Sequence, residues 1–321
     1  MKPVKSSLLK ICCYLLLLVS LTATAGDEQG LKPFVLAAIF EGRQVQEVSD
    51  EAAGKLRTAG FELLGQYSPY AGANVMVFTN PILRDLATRS VRGGYGAVLR
   101  VAVTANNDRI ELSYTNPRYW SNAYRMQAGI DSVATQLKTV LGHEQEFGSG
   151  KLTLSADDLR EYHYTFMMEY FDDPSVLNYF DSHQQAVAMV RNNLAASVAA
   201  STQVYELQIK PDIDDKPMTL FGIGLKGEDQ DDCSSDAYIM NRIDRDTPRH
   251  TAHLPYEILV YGENVEALYG RFRIAISWPH LPMMASDTGA TFFSIMCAPG
   301  SIEDALMAVA GGVRQTSGEQ K

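Results

Sequence analysis

The feature that most constrains the fold is an order of strands and helices that the hydrophobicity pattern predicts twice along the chain. Short apolar or alternating runs predict strands, whereas apolar residues at three- and four-residue steps predict amphipathic helices. In the first half, strands are predicted at 34–40, 61–67, 73–79, 97–104 and 109–115, and helices at 45–59, 81–90 and 122–141. The first half therefore has the order βαββαββα.

The second half repeats this order with longer loops, after a short helix that is predicted near 155–162. Its strands are predicted at 163–170, 203–209, 218–225, 256–261 and 271–278, and its helices at 183–197, 235–243 and 301–310. The last hairpin matches the first half best, because each copy has an apolar strand, a polar turn, a strand that begins with Arg, and then Pro.

We expect an α+β fold in which residues 26–147 and 148–321 are two copies of one βαββαββα unit, separated by the polar stretch 144–152. Copies that dock face to face bury sheet surface that neither covers alone. This predicts an intramolecular pseudo-dimer with a crevice between its halves. The alternative is that the halves are alike only as any two α+β domains are.

Three runs carry a resemblance to a known family: VFTNPILRDLATRS at 77–90, GAVLRVAVTANNDRIELSYTNP at 96–117 and HLPYEILVYGEN at 253–264. They resemble the bacterial and archaeal family of unknown function called DUF302, or TT1751-like. The first copy departs from the family pattern, since Gly-Tyr-Gly at 94–96 replaces the Leu-Pro that precedes the hairpin in the second copy. The resemblance implies TT1751-like α+β units, tandem copies and pairing of domains, and it supplies no catalytic residues.

Residues 1–25 have the pattern of a secretory signal peptide. Three lysines precede the apolar run 11–19, and the small residues Ala23 and Ala25 follow it. The run is too short to span the roughly 30 Å of a bilayer core. We expect cleavage after Ala25, a periplasmic or secreted location, and no membrane span in the mature chain.

The charge balance excludes nucleic acid as a partner. Cleavage would remove three Lys and no acidic residue, which leaves 25 basic and 38 acidic side chains and a net charge of −13. Proteins bind phosphate polymers mainly through Lys and Arg that displace counterions. A strongly acidic chain lacks that driving force.

Two cysteines remain in the mature chain, Cys233 in a polar run and Cys297 at the end of an apolar run. An oxidising compartment favours a disulfide between them. A bond also requires the two Cα atoms to lie within about 7 Å, which the sequence does not establish. The favoured reading is a loop thiol and a buried thiol, with the disulfide as the alternative.

Two further motifs are judged to be coincidental. The run 222–227 matches G-x-G-x-x-G, but acidic residues follow it where a dinucleotide site needs the amides of a helix N-terminus. The acids of 212–215 and 228–232 lack the alternating spacing of a calcium loop. We read them as solvated acidic loops.

Histidine and methionine give the sharpest chemical hypothesis. On a strand at 163–170, His163 and Met167 lie on one face, and the second candidate pair is His280 with Met283. Imidazole and thioether ligands suit Cu(I). These four residues are therefore a candidate copper site, against the alternative that the methionines fill the core.

An aromatic cluster accompanies the same predicted strand. Alternation places Tyr164, Phe166 and Tyr170 together on the face opposite His163. A core position is favoured for them, and the alternative is a wall that contacts a ligand.

We therefore expect a non-enzymatic binding or interaction protein that takes a small molecule or a protein in the crevice between the copies. The first alternative is a periplasmic metal-binding protein that uses the His and Met ligands. The second is a hydrolase. Its type would be unrecognised, because none of the motifs G-x-S-x-G, H-E-x-x-H and C-x-x-C occurs in the sequence.

Overall fold

The computed structural model of the protein describes residues 30–210, 212–229 and 231–313. The predicted signal peptide and its cleavage site lie outside these ranges. The described chain has an α+β fold with two antiparallel sheets.

The first sheet has six strands in the order β2-β3-β4-β5-β1-β6, and every neighbouring pair is antiparallel. The strands are β1 (Phe34–Glu41), β2 (Glu62–Tyr67), β3 (Ala73–Thr79), β4 (Leu99–Asn106), β5 (Arg109–Thr115) and β6 (Gln145–Phe147). The helices of this half are α1 (Val45–Thr58), α2 (Pro81–Thr88), α3 (Pro117–Ala123) and α4 (Asp131–Leu141).

Helices α1 and α4 cover one face of the first sheet. Leu56 and Leu137 pack there against Val101 and Val103, which point to that face of β4. The apolar residues of α1 at three- and four-residue steps form its buried side, as predicted. The other face of the sheet, which includes Val75, is left to meet the second half.

The second sheet has five strands in the order β7-β11-β10-β9-β8, again all antiparallel. The strands are β7 (Ser175–Tyr179), β8 (Ser201–Ile209), β9 (Met218–Leu225), β10 (Tyr256–Tyr261) and β11 (Asn264–Ala267). The helices are α5 (Ala156–Arg160), α6 (His183–Ala195), α7 (Asp236–Ile243), α8 (Gly270–Ser277) and α9 (Ala298–Val309).

The five strands of the second sheet have the same spatial order as the first five strands of the first sheet. When each set is numbered along the chain, both read second, third, fourth, fifth, first. Each set also has a helix between its first and second strands and another between its third and fourth. Strand β6 is an addition to the first sheet alone.

Two predicted strands are wrong. The predicted strand 163–170 is a loop, and the strand lies at β7 instead. The predicted strand 271–278 is helix α8, because the hairpin turn at Gly262 and Glu263 is so tight that its second strand, β11, begins at Asn264. The apolar residues of α8 are buried all round, so their alternation carried no information about a strand.

The predicted helix 122–141 is two helices. The chain turns between α3 and α4, where Arg125 and Gly129 both have positive φ angles, of 50° and 127°. A left-handed residue ends a helix, and Gly adopts this conformation without strain.

Cys233 and Cys297 form a disulfide, with their Cα atoms 5.9 Å apart. The prediction of two free thiols is therefore wrong. The bond joins the loop before α7 to the start of α9. Two segments that lie 64 positions apart in sequence are thus linked covalently.

The two sheets meet face to face, and their edges come closest where β2 crosses β8. Gly65 lies so near the carbonyl group of Val204 that a Cβ atom at this position would overlap with it. Glycine is required here because two backbones approach directly. None of the helices in the described ranges has the length and apolar character needed to cross a bilayer.

Candidate functional site

The centre of the contact between the halves is an ionic cluster of Arg100 on β4, Glu257 on β10 and Arg273 on α8. All three are 2 to 4% exposed. A terminal nitrogen of Arg100 donates to Glu257 Oε1, which also accepts a hydrogen bond of 3.1 Å from the hydroxyl of Tyr205. Arg273 Nη2 lies 3.7 Å from Glu257 Oε2. One carboxylate therefore faces two guanidinium groups.

Aromatic rings enclose this cluster. The guanidinium carbons of Arg100 and Arg273 lie 5.7 and 5.3 Å from the ring centre of Trp120. Arg273 also donates to the hydroxyl of Tyr124 at 2.8 Å. Burial lowers the pKa of Arg100, but the Glu257 carboxylate outweighs this and holds that pKa above its usual value. Arg100 therefore stays charged, and its contact with Glu257 fixes the halves together.

A serine and a histidine beside the cluster do not form an activated nucleophile. The ring nitrogens of His253 lie 2.7 Å from Ser277 Oγ and 3.1 Å from the Tyr256 hydroxyl. Ser277 donates its own proton to the carbonyl oxygen of Arg273 at 2.9 Å. Burial, with the nearby Arg273 charge, lowers the pKa of His253 well below its usual value. A neutral imidazole that donates to the serine cannot take the serine proton.

Little free volume lies beside Arg100 on the side of the first half. A cavity of about 10 Å³ borders Arg100, Trp120 and Tyr124. This is about the volume that one water molecule needs. The small molecule or protein that we predicted for the crevice between the copies stays a prediction, since this cavity is bordered by residues of the first half alone.

A second buried ionisable group lies where β2 meets the second half. Asp236, the first residue of α7, is 1% exposed. Its Oδ2 atom accepts hydrogen bonds from the Tyr67 hydroxyl at 2.9 Å and from the Leu225 amide at 3.2 Å. Burial raises the pKa of Asp236 to about 7, and these two donors only partly oppose the shift.

The exposed part of the molecule offers a different kind of site, which we call the Phe–Met surface. It consists of large apolar side chains on two loops, each 49 to 86% exposed. Its members are Phe166, Met167, Met283, Met284, Phe293 and Met296. The core position that we predicted for Phe166 is wrong, since its side chain is 86% exposed.

Tyr164 holds the two loops of the Phe–Met surface together. Its hydroxyl donates to the carbonyl oxygen of Leu281 at 2.7 Å, and its ring lies 4.6 Å from the ring of Phe292. Within the second loop, the amide of Phe293 donates to the carbonyl oxygen of Met283 at 3.0 Å. The exposed side chains therefore belong to one anchored region.

An open cavity of about 680 Å³, which we call the acidic cavity, adjoins this surface. It is lined by residues that include Leu154, Asp157, Glu161, His163, Tyr164 and Pro279. Arg160 lies at the same cavity, but its guanidinium donates to the carbonyl oxygens of Met126 and Arg125.

The four predicted copper ligands lie in this region. His163 is exposed in the acidic cavity and the centre of its ring lies 4.5 Å from that of Tyr170, while Met167 and Met283 belong to the Phe–Met surface. His280 Nε2 lies 3.1 Å from an Asp246 carboxylate oxygen. In the described ranges, no group of three or more His, Cys, Asp and Glu side chains is placed to hold a metal ion. Methionine is not among those four ligand types, so the copper site stays a prediction.

The glycines of the run 222–227 have a packing role. Gly222 and Gly224 lie within β9, where a Cβ atom would collide with the rings of Tyr205 and Tyr67 respectively. The glycines therefore admit the aromatic rings that pack between the sheets.

Sequence reasoning missed the ionic cluster and the Phe–Met surface. A signal for the cluster was present, since Arg100 and Glu257 each stand alone in an apolar run. A charge in such a run is buried with its strand or helix and must be paired. The Phe–Met surface had no such signal, because apolar side chains on a loop look like core residues.

The sequence matches no protein-family model and no curated protein.

Glu257→Gln should destabilise the protein more than Arg100→Met. The first change leaves two buried guanidinium groups without a carboxylate, which we expect to cost about 3 to 5 kcal/mol. The second leaves Arg273 to neutralise Glu257 and should cost about 1 to 3 kcal/mol. Urea unfolding of the two variants measures the difference. Equal losses would contradict the view that Glu257 is the shared counter-charge.

Asp236 should make the protein less stable as the pH rises from about 4 to about 7. The folded carboxyl keeps its proton up to a pKa of about 7, whereas the unfolded one loses it near 3.9. In this window folding takes up a proton, so stability falls by up to about 1.4 kcal/mol per pH unit and the loss persists above pH 7. Asp236→Asn should remove this contribution. Urea unfolding across the window would refute it if both proteins had the same pH slope.

Proposed function

We propose that the protein is a non-enzymatic binding or interaction module, exported to the periplasm or secreted, and built from two copies of one α+β unit of the DUF302, or TT1751-like, type. The shared spatial order of five strands in the two sheets supports a duplication. The facing sheets with the ionic cluster between them support an intramolecular pseudo-dimer. The disulfide between Cys233 and Cys297 supports an oxidising compartment.

One observation carries the binding role, namely the Phe–Met surface. A soluble chain keeps large apolar side chains in contiguous exposed groups mainly where it binds a partner. Methionine suits such a surface, because its flexible and polarisable side chain adapts to different apolar shapes. The anchoring bond from Tyr164 to Leu281 presents this surface without requiring the loops to fold on binding.

The geometry of the buried groups favours binding over catalysis. Arg100 and Arg273 are committed to Glu257, and both ring nitrogens of His253 are committed to neighbours. General acid-base catalysis requires a group that can exchange a proton with a substrate. These buried groups have no such access.

The binding role is tested with a short neutral peptide of alternating Leu and Gln, titrated into the full chain by fluorescence anisotropy. Phe293→Ser/Met296→Ser should weaken binding about tenfold or more, because each buried large apolar side chain contributes about 1.5 to 3 kcal/mol. The matched control is Ile82→Ser/Val91→Ser, which removes exposed apolar residues of the first half. Equal binding by both variants would contradict the proposal.

The second candidate function is binding of copper by His163, Met167, His280 and Met283. The bond from Tyr164 to Leu281 favours it, since it brings the loop of the first pair to the loop of the second. Soft thioether and imidazole ligands suit Cu(I).

Competition with a chromogenic Cu(I) chelator tests this candidate. The chain should withdraw one equivalent of Cu(I), and His163→Ala/Met167→Leu should abolish that withdrawal. His143→Ala is the control, because His143 is exposed on another part of the chain. No withdrawal of Cu(I) by the unmodified chain would eliminate the metal-binding function.

A further inference from the structure

We propose that the Phe–Met surface and the acidic cavity form one docking site for a basic apolar peptide segment, in which Lys or Arg stands next to large apolar side chains. This inference rests on the proposed binding function and names the chemical class of the partner. The apolar side chains of such a segment would cover the Phe–Met surface. Its cationic side chains would reach the carboxylates of the acidic cavity.

The two parts are continuous because they share Tyr164. Its side chain lines the acidic cavity, and the same residue carries the hydrogen bond and the ring contact that anchor the Phe–Met surface. Phe166 and Met167 follow two and three positions later in the chain. A bound segment can therefore contact both parts without a gap between them.

The charge of the acidic cavity comes from carboxylates that other groups do not neutralise. Asp157 and Glu161 are exposed and four positions apart, so they lie on the same side of the helical turn at α5. Neither carboxylate forms a hydrogen bond or ion pair with the described residues. By contrast, Asp158 Oδ2 accepts hydrogen bonds from the amide and the hydroxyl of Ser155, the residue that caps α5. Arg160 also lines the cavity and keeps its charge, but its guanidinium points to the carbonyl oxygens of Met126 and Arg125 and forms no ion pair with Asp157 or Glu161.

The volume and the lining of the cavity suit a long cationic side chain. Its volume of about 680 Å³ lies within the usual range of ligand pockets. Leu154, Tyr164 and Pro279 supply apolar wall, along which the hydrocarbon stem of a lysine can lie while its ammonium group reaches a carboxylate. The cavity thus offers an apolar wall for the stem of a basic side chain and a carboxylate for its charged end.

The same charges argue against the other occupants of an exposed apolar surface. Anionic lipid headgroups would be repelled by Asp157 and Glu161. A second copy of this chain would bring the same carboxylates to the contact. A basic apolar peptide is the occupant that complements both the surface and the charge.

The test compares three short peptides of identical length, in which Leu alternates with Lys, Gln or Glu, by anisotropy at physiological salt. We expect the Leu–Lys peptide to bind the full chain about tenfold or more tightly than the Leu–Glu peptide, with the Leu–Gln peptide between them. Asp157→Asn/Glu161→Gln should remove most of the preference for Lys and leave the affinity for Leu–Gln within about twofold. The matched control, Asp50→Asn/Glu144→Gln, makes the same change in net charge at exposed positions of the first half.

The control separates local from overall charge. If both double variants lose the Lys preference equally, or if neither loses it, the acidic cavity is not part of the site and the inference fails. The inference also fails if Leu–Glu binds as tightly as Leu–Lys, or if vesicles containing phosphatidylglycerol bind better than either peptide. In those cases the proposed function still stands as long as Phe293→Ser/Met296→Ser weakens binding of Leu–Gln. If that variant changes nothing, the proposed function fails first.

Discussion

The buried contact between Arg100 and Glu257 is the constraint on which the arrangement of the two halves depends. It joins the central strand β4 of one sheet to β10 of the other, at a point where water does not reach. A guanidinium group left without its counter-charge there destabilises the folded protein by several kcal/mol. Any sliding of one sheet over the other that separates the pair is therefore strongly disfavoured. Arg273 and the ring of Trp120 complete the enclosure from the helical side.

Aromatic packing accompanies this ionic contact between the halves. The faces of the sheets that meet carry Tyr205 and Tyr67, whose rings rest where Gly222 and Gly224 have no side chain. At these two points the rings fill the space between the sheets. At the periphery, the loops around Tyr164 project apolar side chains beside Asp157 and Glu161, which no described residue pairs.

Much of the fold could be predicted because most elements have one buried face. Helix α1 and the hairpin of β4 and β5 show the expected periodicity, and the predicted bounds differ from the observed ones by a residue or two. Prediction failed where a segment has no solvent face or no core face. The apolar side chains of helix α8 are buried on every side, so alternation and helical periodicity cannot be distinguished there. The loop at 163–170 shows the opposite failure, since only Tyr164 of its alternating aromatic side chains packs against the core, while Phe166 and Tyr170 are exposed.

The candidate site was predictable only in part. His163 and Met283 were chosen for their chemistry, and the contact from Tyr164 to Leu281 shows that their loops adjoin. That contact joins positions far apart in sequence, and no local pattern encodes it. The charged residues of the interface could have been found from the physical rule that an isolated charge in an apolar run needs a buried partner.

The bond between Cys233 and Cys297 turns the intervening chain into a covalent ring. This ring contains β10, β11, α8 and the loop with Met283 and Met284. The stretch 283–289 is exposed along its whole length. A protease that cuts there opens the ring but does not divide the molecule, because the two pieces remain tethered through sulfur. The loop that carries Met283 and Met284 can thus be cut while the two pieces of the chain stay covalently joined. This holds for as long as the surroundings keep the disulfide oxidised.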